Sequence, residues 1–403
     1  MLCQLFLIFI IIFSISTSAL SGSDVKRNQV SEPRVSYLIE DQQGNIIIEK
    51  NSKKKFNPAS TLKLLTSLVA LKRLGEDYKF KTEFYLDAQN NLKIKGYGDP
   101  FLISEVWNRL AEKIANKIKI INNILIDDSF FASPIKIPGI GNSLNPYDAP
   151  VGALCVNFNT IYIKKIKDKF ISGEHQTPLI PFAQNQIKKM HIKDTGRYII
   201  SHRIRVAETY AGELFKYFLK IHGVYIKGKV GFNTTNPEDK LIYVYYSEYP
   251  LKEIIKKMLK YSNNFIANQI TLVLGAEVYG APATLEKGVN MIKKYAKKRL
   301  GLKDITVVEG SGISRKNFVS CYDMMIILRE FSPYMSLLRK EVYIYYKTGT
   351  LRGINTRAGY VVKKNNRYTF VFFYKGNPQT AECILNYIFH KASLSPQGIH
   401  SDY

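Results

Sequence analysis

Asn57-Pro58-Ala59-Ser60-Thr61-Leu62-Lys63, continuing as Leu64-Leu65-Thr66-Ser67-Leu68-Val69-Ala70-Leu71, is the stretch on which the reading of this chain turns. A proline ahead of small residues and then a long apolar run predicts the opening of a buried helix, with Gly75 as its C-cap. Ser60 and Lys63 are three apart, so on a helix they share one face and their side chains meet. Burial and the positive end of the helix dipole both push a lysine towards its neutral form. In that form it can take the proton of a neighbouring serine, which makes a nucleophile without histidine.

Outward from this stretch the chain alternates in texture. Residues 35–40 and 46–49 read as two strands around a polar turn, and 342–346, 358–362 and 368–374 as three more. Helices are expected over 104–119, 207–222, 283–300 and 378–392, with one helical run from 250 through 272. Two N-terminal and three C-terminal strands predict an α+β fold, an antiparallel five-stranded sheet flanked by helices. Residues 24–80 and 247–403 would form that discontinuous domain. Residues 81–246, rich in Pro, Gly and Asn in their middle part, would be an inserted accessory region, with a smaller module near 165–203.

The chain has 403 residues, 46% hydrophobic and 23% charged, which is globular and large enough for two or three domains. Its net charge is +25, but the lysines are interleaved with Ile, Asn and Tyr in every segment rather than gathered in one arm. That argues against nucleic acid as a partner and suits solvated faces or an anionic polymer such as a cell wall. Residues 5–13 are unbroken apolar, and Thr17 and Ala19 make a cleavage site, so residues 1–19 are expected to be a signal peptide. The protein would then be periplasmic or otherwise extracytoplasmic. Residues 1–4 carry no Lys or Arg, so the alternative is an uncleaved anchor and a loose membrane association. Cys155, Cys321 and Cys383 remain after loss of Cys3, an odd and widely spaced set that is no disulfide framework. None of the six histidines stands in metal-ligand spacing, so neither a metal nor a cofactor is expected.

Ser-x-x-Lys alone is weak, and Ser52 with Lys55 and Ser133 with Lys136 repeat it. Neither of those opens an apolar helix. Ser-x-Asn occurs as Ser262 with Asn264 and as Ser143 with Asn145, whereas Lys347-Thr348-Gly349 occurs once, placed at the end of an aromatic strand. Ser60 with Lys63, Ser262-x-Asn264 and Lys347-Thr348-Gly349 in this order resemble the motif set of the penicillin-recognising serine enzymes. The span of about 200 residues between the first two is similar to that of the class C low-molecular-mass penicillin-binding proteins, the D-alanyl-D-alanine carboxypeptidase/endopeptidase group. Gly98-Asp99-Pro100, Tyr147-x-Ala149-Pro150, Asn157-x-Asn159 and Glu309-Gly310-Ser311-Gly312-Ile313-Ser314-Arg315 extend the match over nearly all the mature chain. Two positions depart from the family pattern. Glu309 stands where Asp is commoner, and Asn142 is the nearest counterpart of an acid that binds the peptide's diamino acid in some members.

The resemblance implies an exported peptidase acting on peptidoglycan peptides that end in, or are cross-linked through, D-Ala, with β-lactams as covalent inhibitors. Ser60 would attack, Lys63 would take its proton, and Ser262 with Lys347 would serve the leaving amine. The N–H groups of Ser60 and Thr350 would hold the oxyanion. Asn264 would bind the substrate amide, Thr348 the terminal carboxylate and Arg315 a peptide carboxylate, and Gly349 would let substrate approach the strand. A β-lactamase of the same superfamily is the rival enzyme. A cell-wall-binding scaffold without catalysis is the rival of another class.

Overall fold

The computed structural model describes residues 34–394 apart from 168 and 365. The expected signal peptide lies outside the described residues. Six strands make one antiparallel sheet in the order Arg339–Glu341, Ile344–Leu351, Ile354–Lys363, Asn366–Lys375, Val35–Glu40, Ile46–Lys50. The two ends of the chain meet where Val35–Glu40 pairs with Asn366–Lys375, from Val35↔Tyr374 to Glu40↔Thr369. Both faces of the central strands are covered, so Thr369–Tyr374 is buried throughout instead of alternating. Val371 and Phe373 pack with helices Lys63–Leu74 and Cys321–Phe331, and Phe370 and Phe372 with helix Pro378–Lys391.

The sheet has six strands rather than the expected five. Arg339–Glu341 is too short and polar to show a strand pattern, and it pairs only with Ile344–Tyr346. Its outer cover therefore ends at residue 346. The Lys347-Thr348-Gly349 motif does not end its strand either. Pairing continues through Lys347↔Ala358, Gly349↔Thr356 and Leu351↔Ile354, so the motif lies inside Ile344–Leu351 with its far edge open.

Helix Lys63–Leu74 is buried at every position from Lys63 to Leu71, as a helix enclosed on all sides must be. It stops as expected at Gly75, whose φ is 93°. The predicted single run from 250 is broken into Leu251–Tyr261 and Asn264–Tyr279. Ser262 takes a left-handed conformation at the break, φ 54° and ψ 34°, and Asn263 caps the second helix by accepting from Ile266 N at 3.0 Å. The apolar pattern is continuous across this point, which is why periodicity alone misses the break.

Between residues 81 and 246 a second sheet has the order Val230–Phe232, Ile124–Asp127, Leu92–Gly96, Lys81–Leu86, Lys240–Tyr246. Helices Ser104–Ala115 and Ile204–Ile221 pack on it around Trp107, whose indole N–H donates to Ala211 O at 2.9 Å. Gly196–Ile199, Thr160–Ile166 and Lys169–Ser172 form a smaller three-stranded sheet. Phe131, Ile137, Val151, Ala153 and Cys155, however, are buried in the core of the six-stranded unit. Among the described residues no helix is long and apolar enough to cross a membrane.

Candidate active site

Ser60 sits in the 3-10 turn Ala59–Leu62, one step before the α-helix begins at Lys63. The turn is held from both sides. Asn57 accepts from Ala59 N at 2.9 Å while its amide donates to Ser314 O and Asn317 O, each at 3.0 Å. Pro58 O accepts from the Thr61 hydroxyl at 2.6 Å and from the Thr356 hydroxyl at 2.7 Å.

Lys63 is fully buried, and its ammonium donates to Ser60 Oγ at 3.0 Å, Asn264 Oδ1 at 2.7 Å and Ser311 O at 2.6 Å. Burial, and then the charge of Lys347, hold its pKa well below the usual lysine range, with Glu309 acting in the opposite direction. A neutral amine so placed keeps two N–H donors for Asn264 and Ser311 and turns its lone pair to Ser60. Lys347 donates to Ser262 Oγ at 2.9 Å and to Thr348 O at 2.7 Å, and burial pushes its pKa down to about 8. The sequence-predicted residues Ser60, Lys63, Ser262, Asn264 and Lys347 are thus brought into two hydrogen-bonded groups, joined electrostatically through the two lysines.

Glu309 organises the loop behind them. It is buried and accepts from Ser311 N at 2.6 Å, Ser311 Oγ at 2.7 Å, Gly312 N at 2.7 Å and Asn317 Nδ2 at 2.6 Å. This fixes the Ser311 carbonyl that Lys63 uses. Gly312 has φ +84°, and a Cβ there would lie 1.9 Å from Ala59 O, so the loop can press on the nucleophile turn only with glycine. Sequence reading assigned no role to Glu309, Ser311, Asn57 or Thr356. Their contributions are carbonyls and buttresses that side-chain chemistry does not announce.

The strand Ile344–Leu351 supplies the other wall. A two-residue turn, Arg352-Gly353, joins it to Ile354–Lys363, making Leu351↔Ile354 the hydrogen-bonded closing pair. Antiparallel pairing alternates, so Thr348 and Thr350 direct their N–H and C=O groups away from that neighbour, into the open edge. Gly349 is required by packing: a Cβ would meet Thr356 Oγ1 at 2.3 Å and Ser60 N at 2.7 Å. The expected steric reason, approach of a substrate, is preceded by approach of the nucleophile turn itself.

A cleft of about 880 Å³ opens over these groups. Ser60, Ser262, Asn264 and Thr350 line its reaction end, and Asn142, Tyr147, Asp148, Arg315, Lys316 and Arg352 its far end. Thr348 does not line it. Its side chain lies on the same face of the strand as Thr350, and the two border a separate hollow of about 140 Å³ with Arg357 and Phe372. Arg315 donates to Arg352 O at 2.7 Å. The competing motifs have other partners: Ser52 pairs with Glu49 at 2.5 Å and Lys55 with Asp304 at 2.5 Å, and Ser143, at the far end of the cleft, with Asp148 at 2.6 Å. No cluster of three or more His, Cys, Asp or Glu able to hold a metal occurs among the described residues.

Comparison with known proteins places this arrangement in context. The model of the D-Ala-D-Ala carboxypeptidase 3 (S13) family matches residues 28–197 and 192–341. A D-alanyl-D-alanine carboxypeptidase, DacB, of Haemophilus influenzae is 24% identical, the match covering 90% of each chain. A D-alanyl-D-alanine carboxypeptidase of an Actinomadura species is 23% identical over 84% of this chain and 77% of the relative. Among solved structures, penicillin binding protein 4 (dacB) of H. influenzae has a TM-score of 0.74 at 21% identity, covering 90% of this chain and 96% of its own. A predatory endopeptidase of Bdellovibrio bacteriovorus, Bd0816, has a TM-score of 0.55 at 17% identity over 91% and 96%.

Proposed function

The chain belongs to the D-Ala-D-Ala carboxypeptidase 3 (S13) family, and on that premise we propose how its own residues carry out the hydrolysis. It is a serine-type D-alanyl-D-alanine carboxypeptidase/endopeptidase that acts outside the cytoplasm on peptidoglycan stem peptides, and Ser60 is the residue that becomes acylated. Neutral Lys63 takes the Ser60 proton as Oγ bonds to the carbonyl carbon of the penultimate D-alanine. The resulting oxyanion is held by the N–H groups of Ser60 and Thr350. Collapse breaks the C–N bond. The Ser262 hydroxyl gives its proton to the leaving nitrogen, positioned and polarised by Lys347. Lys347 also attracts the terminal carboxylate, and Asn264 meets the substrate amide. The proton that Lys63 took replaces the one Ser262 gave up, which leaves both groups neutral. Water then attacks the ester with Lys63 again as base, and the proton passes on to Ser60 Oγ as the ester bond breaks. The same steps serve either a terminal D-alanine or a cross-linked amine as leaving group, and a β-lactam would acylate Ser60 likewise. Residues 24–80 and 247–403 form the catalytic unit in this reading, and 81–246 the accessory region.

The observation that carries the proposal is the pair of lysine–serine contacts, Lys63 to Ser60 at 3.0 Å and Lys347 to Ser262 at 2.9 Å, on one cleft. A β-lactamase reading calls for a deacylating carboxylate. Among the described residues Asp148 is the one acid lining the cleft, and it accepts from Gly141 N at 2.9 Å and from Ser143 N at 3.1 Å. Release of D-alanine from a pentapeptide ending in D-Ala-D-Ala tests the proposal. The wild-type protein should release it and Ser60→Ala should lose at least about 10³-fold in kcat/KM. Undiminished release by Ser60→Ala would defeat the assignment.

A further inference from the structure

Gly152 is pinched between two helices from different parts of the fold. On one side Gln269, fully buried on helix Asn264–Tyr279, donates to Gly152 O at 2.9 Å and accepts from Gly152 N at 3.2 Å. On the other side lies helix Ile204–Ile221, which packs on the second sheet. It comes so close that a Cβ on Gly152 would meet Ile204 Cδ1 at 2.5 Å and Glu208 Oε1 at 2.7 Å. Glu208 is 1% exposed. Its Oε1 accepts from Leu154 N over a long 3.5 Å, and its Oε2 has no hydrogen-bond partner among the described residues. Glu208 and Asp128 both line a hollow of about 10 Å³, room for a single water and too little to hydrate a carboxylate.

The charged and titratable groups facing Glu208 do not neutralise it. Asp128 is a like charge. Arg205, one turn earlier on the same helix, is half exposed and lies 3.3 Å from Asp128 Oδ2. The Cys155 thiol is held protonated by its own burial and then by Glu208. Burial, and then the charge of Asp128, push the Glu208 pKa up to about 8, against smaller opposing pulls from the Leu154 N–H and Arg205. What Glu208 grips is the foot of a cleft wall: residues 138–148 line the cleft, and Val151, Ala153 and Cys155 then enter the core.

We propose that Glu208 is a proton-operated clasp. Protonated, it seals helix Ile204–Ile221 against Gly152–Leu154; ionised, it opens that seam to water and loosens the cleft wall that rises from it. A carboxylate here needs solvent at Oε2, and the hollow supplies it only if helix and segment part. The clasp takes no part in bond breaking. For an acid whose pKa is higher in the folded chain, stability is whole below the unfolded value of about 4.3. It is lost as pH climbs towards the folded value of about 8.

Glu208→Gln keeps the shape and cannot ionise, so the test compares it with the wild-type protein at about pH 5 and about pH 8.5. The variant's thermal unfolding midpoint minus that of the wild type should grow by at least about 3 °C between the two. Asp99, another buried carboxyl, titrates in both proteins and drops out of the difference. Amide hydrogen exchange in a peptide covering 149–155 should be at least about tenfold faster in the wild type than in the variant at the higher pH, and equal at the lower. Asp128→Asn removes the like charge and frees Arg205 for Glu208, so its midpoint should fall less with pH than that of the wild type. This keeps the proposal testable if Glu208→Gln does not fold. A midpoint difference that stays constant, equal exchange of 149–155 at the higher pH, or an unchanged pH dependence in Asp128→Asn overturns the clasp. Neither readout measures activity, so loss of the Lys347 proton does not enter them.

Discussion

At Lys63 and Lys347 burial acts on two amines that are needed in opposite states. Lys63 serves as base when neutral, above its lowered pKa, and Lys347 serves as a cation below its value of about 8. Activity should therefore rise with pH as Lys63 loses its proton and fall again as pH passes through about 8. An unburied lysine would place that alkaline limb near its ordinary value of about 10.4. Lys347→Arg, which cannot deprotonate in this range, should retain reduced activity and lose the alkaline limb; an unshifted limb in that variant would assign it to another group. Glu309 gives a second prediction at this scale. Glu309→Gln replaces an oxygen facing main-chain N–H donors with an amide that cannot accept from all of them. It should cost about 2–4 kcal/mol of stability by urea unfolding and slow acylation of Ser60, because the loop bearing Ser311 O loosens.

Among the elements, the contact between the 309–317 loop, the nucleophile turn and the motif strand depends on glycine. Gly312→Ala places a methyl 1.9 Å from Ala59 O, so the rate of labelling by a fluorescent penicillin should drop about a hundredfold. Gly280 has nearly the same φ, +83°, with nothing within 4 Å of its added Cβ. Gly280→Ala should lose about 1 kcal/mol of stability and keep its labelling rate, which separates backbone strain from displacement of Ser60. These elements also show what the sequence could tell. The apolar helix after Ser60, its Gly75 stop and the aromatic start of the motif strand were legible, because apolar runs and capping residues are local signals, whereas the strand's continuation through Lys347-Thr348-Gly349 to Leu351 was not. The break at Ser262 was not, since a left-handed serine leaves the hydrophobic pattern intact. Nor was Arg339–Glu341, which becomes a strand only by pairing with its neighbour. Ser60, Lys63, Ser262, Asn264 and Lys347 could be picked out as residue types, but the three acceptors of Lys63 include a main-chain oxygen that no motif marks.

Over the whole molecule the two sheets are not independent. The chain from Phe131 to Cys155 leaves the second sheet to fill the core under Lys63–Leu74, and Gln269 of helix Asn264–Tyr279 donates to Gly152 O at 2.9 Å and accepts from Gly152 N at 3.2 Å. A chain joining 34–80 directly to 247–394 should therefore show no cooperative unfolding transition by calorimetry; a sharp transition with penicillin labelling would mean that the accessory region is dispensable for folding. The boundary of the insertion in sequence and the boundary of its core in space differ here, a distinction that composition could not reveal. Ser60 as the acylated residue is the claim on which everything else depends. Intact-mass analysis after exposure to benzylpenicillin, followed by localisation in the digest, tests it most directly. A long-lived penicilloyl adduct on the peptide bearing Ser60, absent from Ser60→Ala, is the predicted result, whereas an adduct on another residue or turnover of the antibiotic within seconds would contradict it.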